Sequence, residues 1–190
     1  MFRSLLFSVP LVVTASLAQA VDAPHAMKTF VESDVMTWAQ DANVVAAVNA
    51  QNAQTAGSTE AQFLEWDAAW RAQFGTSDVP LIKKVMRREF SRFLGEKVAA
   101  SGGRLTEIFV MDALGLNADA SDVTSDYWQG DEAKYSESFS AGSGAIFVDE
   151  VEFDESSQVY QGQISIALTD PATGQVIGAV TIGLNAEAFF

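Results

Sequence analysis

An α+β architecture, with long helices followed by an antiparallel sheet, is predicted by one change of pattern and two features that flank it. From Ala26 to Ala100 apolar residues recur near helical spacing. Ser101-Gly102-Gly103 interrupts them, and beyond it the apolar residues fall into short alternating runs. Two of the last runs are joined by Asp170-Pro171-Ala172-Thr173-Gly174, where proline presets φ and glycine is free to take a positive φ, as in a tight turn between antiparallel strands. Helices segregated before a meander must cover a face of the sheet to bury their own apolar stripes.

Taken in order, Met1 to Ala20 has the form of a cleaved export leader. Arg3 supplies the positive start, Leu5 to Leu17 a short apolar run broken by Pro10, and Ala18-Gln19-Ala20 a small-residue cleavage site, with cleavage expected after Ala20. The run falls short of the ~20 apolar residues that cross a bilayer. Residues 21–190 are then expected to form a single domain, helical over 23–100 and sheet over 104–190.

A first helix is predicted from Ala26 to Asn52, with Met27, Phe30, Val31, Val35, Trp38, Val45 and Val48 on its stripe and no Gly or Pro inside. After Gly57, Ser58 or Thr59 suits the N-cap of a second helix carrying Phe63, Leu64, Trp66, Trp70 and Phe74. A third is predicted from Pro80, suited to a first-turn position, to Ala100, with Leu81, Val85, Met86, Phe90, Phe93 and Leu94 inward. Lys84, Arg88 and Arg92 stand four apart on another face. The predicted strands are Leu105 to Met111, Ala145 to Phe153, Gln158 to Thr169 and Gln175 to Asn185. Asp131 to Phe139 is predicted as a short helix capped by Asp131.

Composition narrows the function. With no cysteine, thiol catalysis, thiolate metal sites and disulfides are excluded. The formal charge is −14, and loss of Arg3 with the leader leaves ten basic residues against 25 acidic ones. From Leu105 onward Lys134 stands alone against fifteen acids, a field that repels nucleic acid and anionic membrane. The single histidine, His25, lies near the expected mature end, and no glycine-rich phosphate loop precedes a helix. No enzyme activity and no cofactor are therefore expected.

Two segments share a strand–Asp–turn–Gly–strand form: Phe109-Val110-Met111-Asp112-Ala113-Leu114-Gly115-Leu116-Asn117, and Ser165 to Gly178 around the Asp170 turn. With the long helix before them and Ser125-Asp126-Tyr127-Trp128-Gln129-Gly130-Asp131-Glu132 between them, they resemble the hairpins of extracytoplasmic Cache domains, also called PDC sensor domains. The resemblance covers Ala23 to Phe190. It implies a PAS-like antiparallel sheet flanked by a long N-terminal helix, and small-molecule recognition between the sheet and its crossing loops. Most members of that family are anchored by membrane helices and fused to signalling modules; this sequence shows neither, so it is expected to be a free-standing periplasmic version, not embedded in a membrane, that acts in signal transduction through a separate membrane receptor. The amino-acid signature of some double Cache domains has no counterpart here, so ligand identity stays open.

The candidate ligand-binding residues are Tyr127, Trp128, Asp131, Asp170, Phe147 and Phe109. Tyr127 and Trp128 offer large faces with a donor at the rim, as small-ligand sites require, although both rings could instead close the core. Phe109 and Phe147 are candidate walls that could equally be core. Asp131 or Asp170 would orient the ligand, while Asp170, like Asp112, also suits a turn. An alternative is a divalent-cation module using Asp119, Asp122, Asp126 and Asp131, or Asp149, Glu150, Glu152, Asp154 and Glu155. Oxygen ligands suit calcium or magnesium, but the first set lacks the rhythm of an EF-hand loop and no metal site is assigned. A third reading is an interaction domain that kept the fold without the pocket.

Overall fold

The computed structural model describes residues 16–86, 88–155 and 157–190. The expected leader, as far as residue 15, lies outside the described residues. Helix α1, Ser16–Phe30, runs through a π-helical stretch, Val31–Val35, into α2, Met36–Ala39. The expected cleavage point after Ala20 falls within α1. Ala23, Met27, Val31, Val35 and Ala39 are all buried, at a strict spacing of four. An α-helix has 3.6 residues per turn, so such a stripe drifts around its axis. A wider π turn in the middle brings it back to one side.

The helix expected from Ala26 to Asn52 is in fact two. Gln40 leaves helical geometry at φ −105° and ψ 21°, and Asp41 caps α3, Ala42–Thr55, by accepting the Asn43 N–H at 2.8 Å. A short carboxylate that bonds locally to the backbone competes with helix continuation, so Asp41 starts a new helix where apolar spacing alone reads through. Helix α4, Glu60–Gln73, begins after Thr59 as expected, and the Thr59 N–H donates to Gln62 Oε1 at 2.9 Å.

The third predicted helix also divides. Helix α5 is Pro80–Val85, Met86 is extended at ψ 94°, and α6 is Arg88–Ala100. The apolar stripe has two destinations. Ile82 and Val85 pack with Trp70 and Tyr127, whereas Phe90 and Leu94 join the main core. One straight helix cannot face both, and the break puts Lys84 and Arg92 on different helices.

The sheet is antiparallel throughout, in the order β2-β1-β6-β5-β3, with β4 also pairing β5. Its strands are β1 Leu105–Asp112, β2 Asn117–Ala120, β3 Ile146–Val148, β4 Glu152–Asp154, β5 Val159–Thr169 and β6 Val176–Asn185. The single strand expected over Ala145 to Phe153 is interrupted. Val148 pairs Ile164 and Glu152 pairs Gln161, four steps against three. The extra residue is a bulge, and it keeps Val151 on the helix side with Ile146 and Val148. Helix α7, Ala133–Ser136, is shorter than expected and starts after Glu132. Asp131 is exposed one residue too early and does not cap it.

Period-two alternation gives the sheet two unlike faces. Ile108 and Val110 of β1, Ile164, Ile166 and Leu168 of β5, and Val180, Ile182 and Leu184 of β6 pack under α1, α2, α3 and α6. The opposite face carries Glu107, Phe109, Gln161, Gln163, Ser165 and Thr181, and is crossed by residues 121–145. No helix among the described residues is long and apolar enough to cross a membrane.

Candidate ligand-binding cavity on the sheet

The segment after β2 turns back along that strand. The Asn117 N–H donates to the Tyr127 carbonyl at 2.9 Å, and the Gln129 N–H to the Gly115 carbonyl at 2.8 Å. Gly115 has φ +79°, and a Cβ there would come within 2.5 Å of Gly130 Cα, so only glycine permits this approach. Helix α4 then clamps the segment from outside. Asp67 Oδ1 accepts the N–H groups of Tyr127 at 2.8 Å and Trp128 at 3.1 Å, and Trp70 Nε1 donates to the Thr124 carbonyl at 2.8 Å. Arg71 donates to Asp67 at 2.7 Å and reaches Asp126 at 3.5 Å.

This clamp decides where the aromatics face. Tyr127 is buried and stacks on Trp70, centroids 5.3 Å apart, and its hydroxyl accepts Gln51 Nε2 at 2.8 Å. Burial pushes the phenol up to about 12. The tyrosine borders a hollow of about 130 Å³ with Gln51, Thr55, Trp66 and Lys84, room for a few waters. Trp128 packs on Phe63 and donates Nε1 to the Leu114 carbonyl at 2.9 Å.

On the sheet side of the same segment lies a cavity of about 400 Å³. Phe109 forms its floor, Asp126 and Gln129 enter from the crossing segment, and Lys134 enters from α7. Glu107 stands at the centre of a polar cluster in this lining. Its Oε1 accepts Gln161 Nε2 at 2.8 Å and Gln163 Nε2 at 3.0 Å. Thr106 donates to Gln161 Oε1 at 2.6 Å, which turns that amide nitrogen toward Glu107. Between these side chains stands Gly183, paired with both Glu107 and Gln163. A Cβ there would lie 2.6 Å from Glu107 Cγ, so the missing side chain makes the space in which they meet. Burial raises the Glu107 carboxyl, and the two amides and nearby Lys134 partly oppose the shift. Lys134 Nζ pairs with Glu132 at 2.9 Å and lies 5.4 Å over the Phe109 ring.

Of the six candidate residues, Phe109 alone lines this cavity. Tyr127 and Trp128 belong to its covering segment but turn toward α4. Phe147 sits on β3 opposite Ser165, on the same sheet face but outside the lining. Asp131 is exposed. Asp170 holds the β5–β6 turn by accepting the Ala172 N–H at 2.8 Å, and it accepts Asn49 Nδ2 from α3 at 3.2 Å, so it faces the helical layer. Sequence reasoning passed over Glu107, Gln161, Gln163, Gln129, Lys134 and Asp67. Gln161 and Gln163 did carry a signal, two amides at period two in an otherwise apolar strand.

A larger hollow, about 500 Å³, lies between α3 and α6 beside Ala46, Ala47, Phe90 and Phe93. It is an open groove without convergent buried polar groups, and a binding site needs those to orient a ligand. No three His, Cys, Asp or Glu side chains converge as a metal site among the described residues. Three of the four acids of the first candidate cation set have separate partners: Asp119 accepts Ser91 Oγ at 2.5 Å, Asp122 the Val123 N–H at 2.7 Å, and Asp126 Gln129 Nε2 at 2.6 Å.

No protein-family model and no curated protein matches this chain. Solved structures do. The extracellular domain of rpHK1S-Z16, named for a histidine kinase, is 17% identical with a TM-score of 0.52, over 90% of this chain and 56% of that one. The sensor domain of the Vibrio cholerae histidine kinase DctB is 12% identical, TM-score 0.42, over 90% and 58% of the two chains. The ligand-binding domain of the Campylobacter jejuni chemoreceptor Tlp3, in complex with 4-methylisoleucine, is 13% identical, TM-score 0.42, over 93% and 63%. The likeness to the rpHK1S-Z16 domain is one of fold, and it agrees with the α+β architecture that the sequence predicted. The present chain spans little more than half the length of that domain.

Proposed function

We propose that this chain is a periplasmic sensor module. It binds a small molecule in the cavity over Phe109 and Glu107, performs no chemistry on it, and passes the occupied state to a separate membrane protein. Met1 to Ala20 serve as its export leader, cleaved after Ala20. The observation that carries the reading is the Glu107 carboxylate, held by Gln161 and Gln163 across Gly183 beneath a covering segment. A half-buried acid raised by desolvation, beside an aromatic floor in a cavity of ligand size, fits recognition. The lining hydroxyls, Thr124 and Ser125, have no imidazole beside them, since His25 is exposed on α1; this supports binding without catalysis.

A thermal-shift panel of small metabolites on the parent chain and on Phe109→Ala and Gln163→Ala tests the reading. Compounds that raise the Tm of the parent and lose that effect in both variants are expected. Stabilisation that survives both substitutions, or a panel without a binder, overturns it.

A further inference from the structure

The chemistry of this cavity selects among ligands by charge and by hydrogen-bond polarity. Its lining carries Glu107, Asp126, Asp154 and Glu155 against Lys134 alone. The cations nearby are engaged: Lys134 with Glu132, and Arg71, outside the lining, with Asp67 and Asp126. The adjoining hollow of about 220 Å³ shares Asp154, Gln161 and Gln163 with the cavity and adds only acids and Phe153. A carboxylate or phosphate ligand would therefore enter a field of its own sign, without an uncommitted base among the described residues of the lining to meet it.

Hydrogen-bond polarity points the same way. The amide nitrogens of Gln161 and Gln163 each direct one N–H to Glu107 Oε1, and that of Gln129 one to Asp126. Glu107 Oε2 is the second acceptor of the same carboxylate, beyond the oxygen those amides engage. An ammonium has three donors and no acceptor. The Phe109 ring already holds one ammonium, that of Lys134, at 5.4 Å, the arrangement in which a ring face attracts a cation.

Resting on the cavity assigned above, we infer that the ligand is a small aliphatic amine, bound through its ammonium to Glu107 beside the Phe109 ring and carrying no carboxylate. The test is calorimetric titration of the chain with four compounds of one carbon length: putrescine, butylamine, the neutral butanediol and succinate. At least one amine should bind about ten-fold tighter than the diol, a difference of about 1.4 kcal/mol, and succinate should not bind. Glu107→Gln should weaken the amine about ten-fold or more while keeping or raising the Tm, and Phe109→Leu should weaken it without unfolding the chain. Amine binding equal to that of the diol, indifferent to Glu107→Gln, or absent for both amines overturns the inference. Succinate binding that Phe109→Leu abolishes overturns the amine but leaves the cavity reading standing.

Discussion

Asp67, midway along α4, accepts the backbone N–H of Tyr127 at 2.8 Å, sixty residues away in sequence, and the same oxygen takes the next N–H, of Trp128, at 3.1 Å. One carboxylate thus sets the course of the segment that roofs the cavity. Arg71 also links the same helix to Asp126 in the lining.

Asp67→Ala should remove the acceptor of two buried donors at once, and should cost about 2–4 kcal/mol on unfolding in urea. Asp67→Asn retains an acceptor oxygen and should lose less. Amide hydrogen exchange at Tyr127 and Trp128 should accelerate in Asp67→Ala ahead of the sheet amides. A loss below about 0.5 kcal/mol would mean that the clamp is not what holds the segment.

Tyr127→Phe separates the two sides of that segment. It leaves Gln51 Nε2 without its acceptor and should cost about 1 kcal/mol. Ligand affinity should change less than two-fold, since the hydroxyl faces α3 rather than the Phe109 cavity. A large affinity loss at preserved stability would return the site to the tyrosine side.

Two glycines of β6 should respond differently to the same added methyl. At Gly178 a Cβ would overlap the Met111 carbonyl oxygen, which is strand backbone and cannot swing away. Gly178→Ala should cost about 3 kcal/mol. At Gly183 the obstructing atoms belong to Thr106 and Glu107 side chains, which can move. Gly183→Ala should cost only about 1–2 kcal/mol but should displace Glu107 and abolish ligand binding. Equal stability losses for the two variants would contradict this distinction.

What could be read from the chain and what could not divides along physical lines. The final hairpin and the two-faced strands were legible because turn chemistry and period-two alternation are local. The helix breaks were not: Asp41 looks unexceptional between Gln40 and Ala42, and Met86 ends α5 because its neighbours pack into two different cores. The bulge between β3 and β4 shows only in the register against β5. The site divides the same way. Phe109 could be placed by alternation, whereas the facing of Tyr127 and Trp128 depends on a distant carboxylate. The Glu107 cluster needs three strands brought side by side, so only the period-two amides Gln161 and Gln163 marked it in the sequence.

Glu107 also supplies a pH test. The groups around it are Lys134, which favours its ionised form, and Asp154, which opposes it; burial is the larger influence and raises the carboxyl above its ordinary 4.5. A carboxyl raised on folding is favoured in its protonated form, so ionising it in the folded chain carries a penalty. That penalty is absent below the ordinary value and grows as pH rises through the folded one. Glu107→Gln can still accept both glutamine amides without a charge. Its Tm should therefore exceed that of the parent at pH 8, and the gap should close as the pH falls toward 4.5. Amine affinity of the parent should follow the same course, falling with pH through the same window as the carboxylate is lost, and that of Glu107→Gln should stay flat. A Tm gap of the same size at both ends of the range would mean that the carboxylate is not strained by its burial.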